Sequence, residues 1–199
     1  MRESSFGKEK NSVLDRLLFS LRARAIINRL KKVDNPKTAL DIGCGYRGHF
    51  LSRVLPFFPT IEQAVGVDVS VDNTATHEKI KLISGDVNGA LPLPDNHFDI
   101  VFSTAVLEHL ENYTLALKEM HRVLKPGGYL LLTTPAPAAK LVLELLAYQL
   151  KLIDEREIRD HKRYFTRPHL KQLLCDLGYS DVKVKPFQFG FNTIAVGKK

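Results

Sequence analysis

The sequence predicts an α/β architecture, a doubly wound sheet that is mostly parallel and carries helices on both faces. Three observations carry this. Short apolar runs of strand length recur along the chain, segments of helical spacing lie between them, and a glycine-rich turn follows the first run. A chain of 199 residues, 44% of them hydrophobic, is long enough to bury one substantial core.

Taken in order, residues 13–32 read as a helix with two apolar stripes, Leu14, Leu17, Leu18, Leu21 and Ala25 on one side and Phe19, Ile26 and Leu30 on another. Two stripes predict contact on two sides, as in a cap packed over a domain, and not a helix lying on a membrane. The strands follow at "TALDI" (38–42), "QAVGVDV" (63–69), "KIKLIS" (79–84), "FDIVFST" (98–104) and "GYLLLTT" (128–134). The clearest intervening helix is 113–124, with Leu117, Met120, Val123 and Leu124 on one face. It ends at "KPGG", where proline cannot continue the helix and glycine permits reversal. Beyond the fifth strand come a Leu-rich helix (about 139–153), a charged hinge "DEREIRDHKRYFTRP" (154–168) and a helix over 168–178. The closing runs "DVKVKPF" and "FNTIAVG" resemble an antiparallel pair at the sheet edge and bring the expected sheet to seven strands. Residues 1–37 thus read as a helical cap, and residues 38–199 as the domain proper, with 136–167 inserted as a lid.

Composition narrows the class. Two cysteines, Cys44 and Cys175, are far apart and lack C-x-x-C spacing, so neither a disulfide framework nor a metal site is predicted, and a reducing cytoplasm fits. The first twelve residues are polar and no apolar run spans a bilayer, so no secretory signal and no integral membrane segment is expected. The net charge of +7 sits on the flanks: residues 1–37 carry 10 basic and 4 acidic side chains, residues 38–150 carry 8 and 12, and residues 151–171 carry 7 and 4. That pattern points weakly to an anionic partner and equally to a solvated basic face.

The turn "GCGYRG" (43–48) has G-x-G-x-x-G spacing, which any tight strand-to-helix turn approached by a ligand also requires. Asp41, at the carboxyl end of the first strand, decides between ligands. It would oppose a pyrophosphate and favour a cation. Asp68, ending the second strand, suits a ribose diol of either ligand class.

With these residues in place the chain resembles the class I methyltransferases that use S-adenosylmethionine, in the small-molecule branch of the ubiquinone and menaquinone biosynthesis enzymes. The resemblance spans about Ala39 to Pro135. It rests on "LDIGCGYRGHFL", "VGVDVS", "GDVNGALPLPDNHFDIVFSTAVLEHLENY" and "EMHRVLKPGGYLLLTTP". It implies a Rossmann-like fold and S-adenosylmethionine as cofactor. Asp41 with Gly43, Cys44 and Gly45 would hold the methionine end, Asp68 the ribose hydroxyls and Asp86 the adenine amino group, with the Val87 backbone and Thr104 completing the pocket and Val69 and Gly85 also expected to bind the cofactor. Cys44 reads as a small loop residue, not a reactive thiol. One departure stands out: the family's third glycine is replaced by Arg47, with the glycine at 48. Arg47 either points outward on a longer loop or lines the entrance for an anionic substrate.

Methyl transfer is an in-line displacement that depends chiefly on positioning two reactants, and a hydroxyl nucleophile adds the need for a base. The candidates are His161 in the hinge and His109 in "VLEHLE", expected at the start of the helix after the fourth strand. Tyr164 and Glu108 are next in line. The cap and the 136–167 lid should build the acceptor pocket. In that reading Arg22, Arg24, Arg159, Arg163 and Arg167 are available for a phosphate or carboxylate, and Leu141, Leu145 and Tyr148 for a greasy acceptor. The expected function is methylation of an O, N or C atom of a small acceptor, anionic or lipid-like. Two alternatives stay open: a tRNA methyltransferase drawing on the basic flanks, and a non-catalytic S-adenosylmethionine-binding protein.

Overall fold

The computed structural model describes residues 13–30, 33–72, 74, 77–151, 153 and 155–199. The first part of the expected cap, residues 1–12, lies outside these. Helix α1 (Val13–Leu30) precedes strand β1 (Thr38–Ile42), followed by α2 (His49–Val54), β2 (Gln63–Asp68), β3 (Ile80–Ser84) and β4 (Phe98–Thr104). The second half comprises α3 (Tyr113–Val123), β5 (Leu124–Pro135), α4 (Ala139–Glu144), α5 (Glu155–Arg159), α6 (Arg167–Asp176), β6 (Ser180–Phe187) and β7 (Asn192–Lys198).

One seven-stranded sheet runs in the order β3-β2-β1-β4-β5-β7-β6. β1 to β5 are mutually parallel, and β7 pairs antiparallel with both β5 and β6, which leaves β6 at the edge. The central strands are apolar on both faces because helices cover both. Leu40, Ile42, Val65, Val67, Val101, Leu130 and Leu132 pack beneath α3 and α6, against Leu117, Met120, Leu170 and Leu174. Ala39, Ala64, Ile100, Phe102 and Leu131 pack on the other face, against Ile26 and Leu30 of α1 and Phe50, Leu51 and Val54 of α2. The second stripe of α1 is therefore part of the core. Of the first stripe, Leu17 is 55% and Leu21 40% exposed, so the expected two-sided contact is one-sided among the described residues.

The expected alternation of strands and helices fails on one side. Among the described residues no helix connects β2 to β3 or β3 to β4. β3 is an edge strand that is only half-buried, with Ile83 packed against the core cluster that includes Val87 and Leu91. The Leu-rich helix also differs from expectation: α4 ends at Glu144 and a π turn over Leu145–Gln149 replaces its continuation. The wider turn sets Ala147 into a small cluster with Ile153 and Ile158, and α5 forms within what reads as hinge. "KPGG" does not separate helix from strand. Leu124 already pairs with Phe98, and Gly127, at φ +82°, allows an irregularity in register before Tyr129.

Candidate active site

The sheet order changes direction between β1 and β4, so the loops leaving their carboxyl ends diverge and open a crevice where ligands of such sheets bind. The turn leaving β1 is shaped by glycines that no other residue could replace without strain. Gly43 stands at φ +74°, and a Cβ there would lie 2.2 Å from Val106 Cγ2, so the β1 and β4 loops can touch only without a side chain. Its N–H and that of Cys44 both donate to the Val67 carbonyl, at 2.7 and 3.1 Å, which pins the turn to β2. Gly48, at φ +61°, forms the left-handed cap from which α2 starts. The shifted third glycine is thus accommodated, and Arg47 points outward: its Nε donates to Asp72 Oδ2 at 3.1 Å and the side chain is 59% exposed. Burial pushes the Cys44 thiol far up, with the Asp41 and Asp68 charges adding to the effect, so it stays protonated.

Asp41 is fully buried, and neither of its carboxylate oxygens has a hydrogen-bond partner. Burial raises its pKa well above the carboxylate range, and the neighbouring Asp68 charge raises it further. Asp68 is held by backbone: Oδ2 accepts from Gly45 N–H and Oδ1 from Val69 N–H, each at 2.8 Å. Asp86 forms an Asx turn, its Oδ1 accepting from Asn88 N–H at 2.9 Å and Nδ2 at 3.0 Å. Asn88 Oδ1 in turn accepts from Glu111 N–H at 2.9 Å, which ties the β3 loop to the β4 loop.

These elements enclose a cleft of about 200 Å³ bordered by Gly43, Asp68, Val69, Asp86, Val87, Asn88, Val106, His109, Leu110, Glu111, Asp160 and Lys162. Asp41, Cys44, Gly45, Gly85 and Thr104 do not border it themselves. Asn88, Glu111, Asp160 and Lys162 were not among the residues expected from sequence. Asp160 and Lys162 flank His161 in the hinge, and Asn88 and Glu111 lie within the motif segment 85–113, so each carried a sequence signal by position.

His109 does not begin the helix after β4. Residues 105–112 form turns, with His109 N–H donating to the Val106 carbonyl at 2.9 Å, and α3 starts after Asn112, whose side chain caps Leu115 N–H. The turn points the His109 ring at the cleft, and its Nδ1 is 3.0 Å from Asp160 Oδ2. His161 packs edge to face on His109, with ring centroids 4.8 Å apart, and its own Nδ1 is 3.1 Å from the Tyr164 hydroxyl. The hinge therefore brings Asp160 and Lys162 to the wall, while His161 and Tyr164 reach it through His109. Burial, with the charges of Glu144 and Glu108, pushes the Tyr164 phenol up to about 12, so it keeps its proton at neutral pH.

Glu108 is 1% exposed, and its Oε2 has no hydrogen-bond partner. Burial raises its pKa, opposed by His109 and by Arg22 of α1. One ligand atom each of Glu108, His109 and His161 lie within 4.8 Å of one another, a grouping that could also hold a cation. Of the five arginines expected around the acceptor, only Arg22 turns inward, its Nε buried without a partner. Arg24 and Arg167 are exposed, Arg159 pairs with Glu155, and Arg163 lies over the Tyr113 ring at 4.5 Å. Leu141, Leu145 and Tyr148 are 78%, 45% and 40% exposed.

Comparison with known proteins adds an independent line. The family described as "Methyltransferase domain" matches residues 14–184. The demethylmenaquinone methyltransferase of Geobacillus kaustophilus is 30% identical over 203 residues, covering 90% of this chain and 86% of that protein. Among solved structures, a SAM-dependent methyltransferase from Thermotoga maritima superposes with a TM-score of 0.67 at 21% identity, covering 94% of both chains. Human N-acetylserotonin methyltransferase in complex with SAM superposes with a TM-score of 0.69 at 17% identity, covering 92% of this chain and 52% of that one. At such identities the two structures speak for the fold.

Proposed function

The chain belongs to the methyltransferase-domain family, as a class I S-adenosylmethionine-dependent enzyme, and on that premise we propose that it methylates a small, largely apolar acceptor whose reacting atom is deprotonated at His109. The buried and unpartnered Asp41 carboxylate suits a cationic ligand, so the residues present fit a sulfonium nucleoside. When bound, S-adenosylmethionine supplies a methyl group on a positively charged sulfur, open to in-line attack by a nucleophile.

The side chains divide the remaining work. Asp68, with Val69 beside it, would hold the ribose hydroxyls. Asp86 and Val87 border the adenine side, Asp41 balances the cation from below the Gly43–Gly45 turn, and Thr104 closes the end of β4. Asp160 accepts from Nδ1–H of His109, which selects the tautomer whose Nε2 takes up the acceptor's proton. His161, hydrogen-bonded to Tyr164, fixes the His109 ring from its side. The negative charge on the acceptor is the oxyanion made at that step. It is not a phosphate or carboxylate arm, because four of the five candidate arginines face solvent or a partner at the surface. The named substrate of the Geobacillus relative supports an acceptor of quinol-like character. A buried Cys44 and an unpaired Cys175 suit a cytoplasmic enzyme.

One observation carries this reading: the His109–Asp160 pair stands on the wall of the same cleft as Gly43, Asp68 and Asp86. The test is incubation of the pure protein with methyl-labelled S-adenosylmethionine and a metabolite extract under reducing conditions. A small apolar hydroxylated product should carry the label. His109→Ala should lower turnover about 100-fold or more while S-adenosylhomocysteine affinity stays within about twofold. Label appearing in tRNA, or in no component at all, would overturn it.

A further inference from the structure

Most of the exposed large apolar side chains among the described residues belong to three neighbouring elements. Leu17 and Leu21 lie on the outer stripe of α1, Phe189 stands 99% exposed in the turn between β6 and β7 with Phe191 two residues on, and Leu141, Leu145 and Leu150 follow the root of the 136–167 segment. Two hydrogen bonds tie these elements together. Gln188 Nε2 donates to the Leu18 carbonyl of α1 at 2.9 Å, and Ala136 N–H donates to the Phe191 carbonyl at 2.9 Å. Asn192 pairs with Pro135, so the turn stands at the carboxyl end of β5, the end of the sheet that opens the cleft. The backbone holds Phe189 outward at a cost. Gln188, Phe189 and Gly190 stand at φ +50°, +58° and +87°, and only the glycine is suited to such values. An apolar patch rimmed by polar residues marks an interaction surface.

We propose that the outer stripe of α1 and the β6–β7 turn form a docking face for an anionic lipid bilayer, with Leu17, Leu21 and Phe189 entering the headgroup layer. Charge decides the occupant. Arg24 continues the Leu17–Leu21 stripe one turn on, and Arg16 adjoins it, both exposed. Alternation along β6 puts the exposed Lys183 and Lys185 on the α1 face of the sheet, together with Phe187, which packs against that core. Lys140 and Lys151 bracket the exposed leucines of the third element. Residues 13–25, 136–151 and 183–191 together hold seven basic and two acidic side chains. Exposed cations around apolar side chains suit a surface with fixed negative charge outside and hydrocarbon within. A nucleic acid would engage the cations but leave Phe189 and the leucines in water, and a second copy of this basic face would set like charges against each other. Among the described residues no helix is long and apolar enough to cross a membrane, so the contact is with its surface. The face uses no residue of the cleft, and it stands whether or not the methyl-transfer reading does.

The chain contains no tryptophan, so a single one introduced at the surface reports its own surroundings. With vesicles of phosphatidylglycerol and phosphatidylcholine, Phe189→Trp should shift its emission to the blue. Phe57→Trp should not, because Phe57 is an exposed apolar residue that precedes β2, toward the opposite end of the sheet. In co-sedimentation the wild type should bind these mixed vesicles about tenfold or more tighter than vesicles of phosphatidylcholine alone, and added salt should erode the difference. Phe189→Asn should lower binding by about tenfold or more and yet melt no lower than the wild type, since asparagine tolerates the left-handed backbone at this position. Leu17→Gln combined with Leu21→Gln should weaken binding to a similar extent from a separate element. No blue shift at position 189, equal shifts at positions 57 and 189, or equal binding to neutral vesicles overturns the docking face. So does a shift produced by tRNA and not by vesicles, or self-association without vesicles that Phe189→Asn abolishes.

Discussion

Asp41 shows how one residue sets both stability and binding. Its pKa is raised by burial first and by Asp68 second, so its contribution to folding is favourable below the unfolded value and is lost as pH rises through the folded one. Once ionised, the buried carboxylate is a net cost until a cation offsets it. Asp41→Asn should therefore melt higher than the wild type without ligand, by about 2–4 °C or more for a chain of this size, and the difference should grow as pH rises above the unfolded value of about 3.9. The same variant should bind S-adenosylmethionine at least about 10-fold more weakly, and a ligand-free melting point at or below the wild type would refute the assignment. Asp68→Ala makes a complementary case: it strips the proposed ribose acceptor and the anchor of Gly45 N–H, and calorimetry should show S-adenosylhomocysteine affinity reduced by about tenfold or more. Both residues were legible beforehand because strand end, glycine turn and carboxylate are contiguous in the chain. The pairing of Asp160 with His109 was not, because 51 positions separate the two and no local pattern joins them.

At the scale of elements, the segment 136–167 joins the large cores, among the described residues, through Phe165 near its end. Its own cluster is Ala147, Ile153 and Ile158 with Leu143 and Leu146, a small apolar area for so many ordered residues. Its closing contacts run from the hinge to the β4 loop: Asp160 to His109, Lys162 N–H to the Glu108 carbonyl at 2.9 Å, and Lys162 Nζ to Glu111 at 2.9 Å. We propose that it acts as a lid, and hydrogen exchange should then find 136–167 among the least protected segments, gaining protection when S-adenosylhomocysteine and an acceptor are both bound. Equal protection in every state would mean that nothing closes. Periodicity located this segment but misjudged its form, because a leucine repeat does not reveal where a π turn will swing Ala147 inward. For α1 the same pattern indicated two apolar stripes, and packing of only the Ile26–Leu30 stripe depends on where α2 and β1 stand.

For the molecule as a whole, the end of the sheet opposite the cleft is held by a polar lock. Asp99 Oδ2 accepts from the N–H groups of Lys37 and Thr38 at 2.9 and 2.8 Å and from the Thr38 hydroxyl at 2.9 Å, while Lys125 Nζ donates to Oδ1 at 2.9 Å. This joins the entries of β1, β4 and β5. Burial pushes the Asp99 pKa up, but Lys125 and the Lys37 and Thr38 donors outweigh it and the net shift is downward. Its stabilisation is therefore complete above the unfolded value of about 3.9 and disappears as pH falls through the lower folded value. Asp99→Asn should unfold at lower denaturant than the wild type at pH 7, and the two midpoints should converge below about pH 3. Midpoints that stay separated in acid would place the stabilisation elsewhere.

What the sequence determined by itself was whatever is coded by neighbours: strand runs, the Gly43–Gly48 turn, the carboxylates ending β1 and β2, and the class of ligand they suit. Period-two and period-3.6 patterns and turn chemistry act over a few residues, so they survive reading one position at a time. Only the tertiary structure decided which half of α1 is covered, that Arg47 turns to Asp72 and away from the entrance, and that His109 meets Asp160. Those pairings join residues whose separation along the chain carries no local signal. They arise when the sheet changes direction at β1 and β4 and brings the loops, α1 and the hinge to one end.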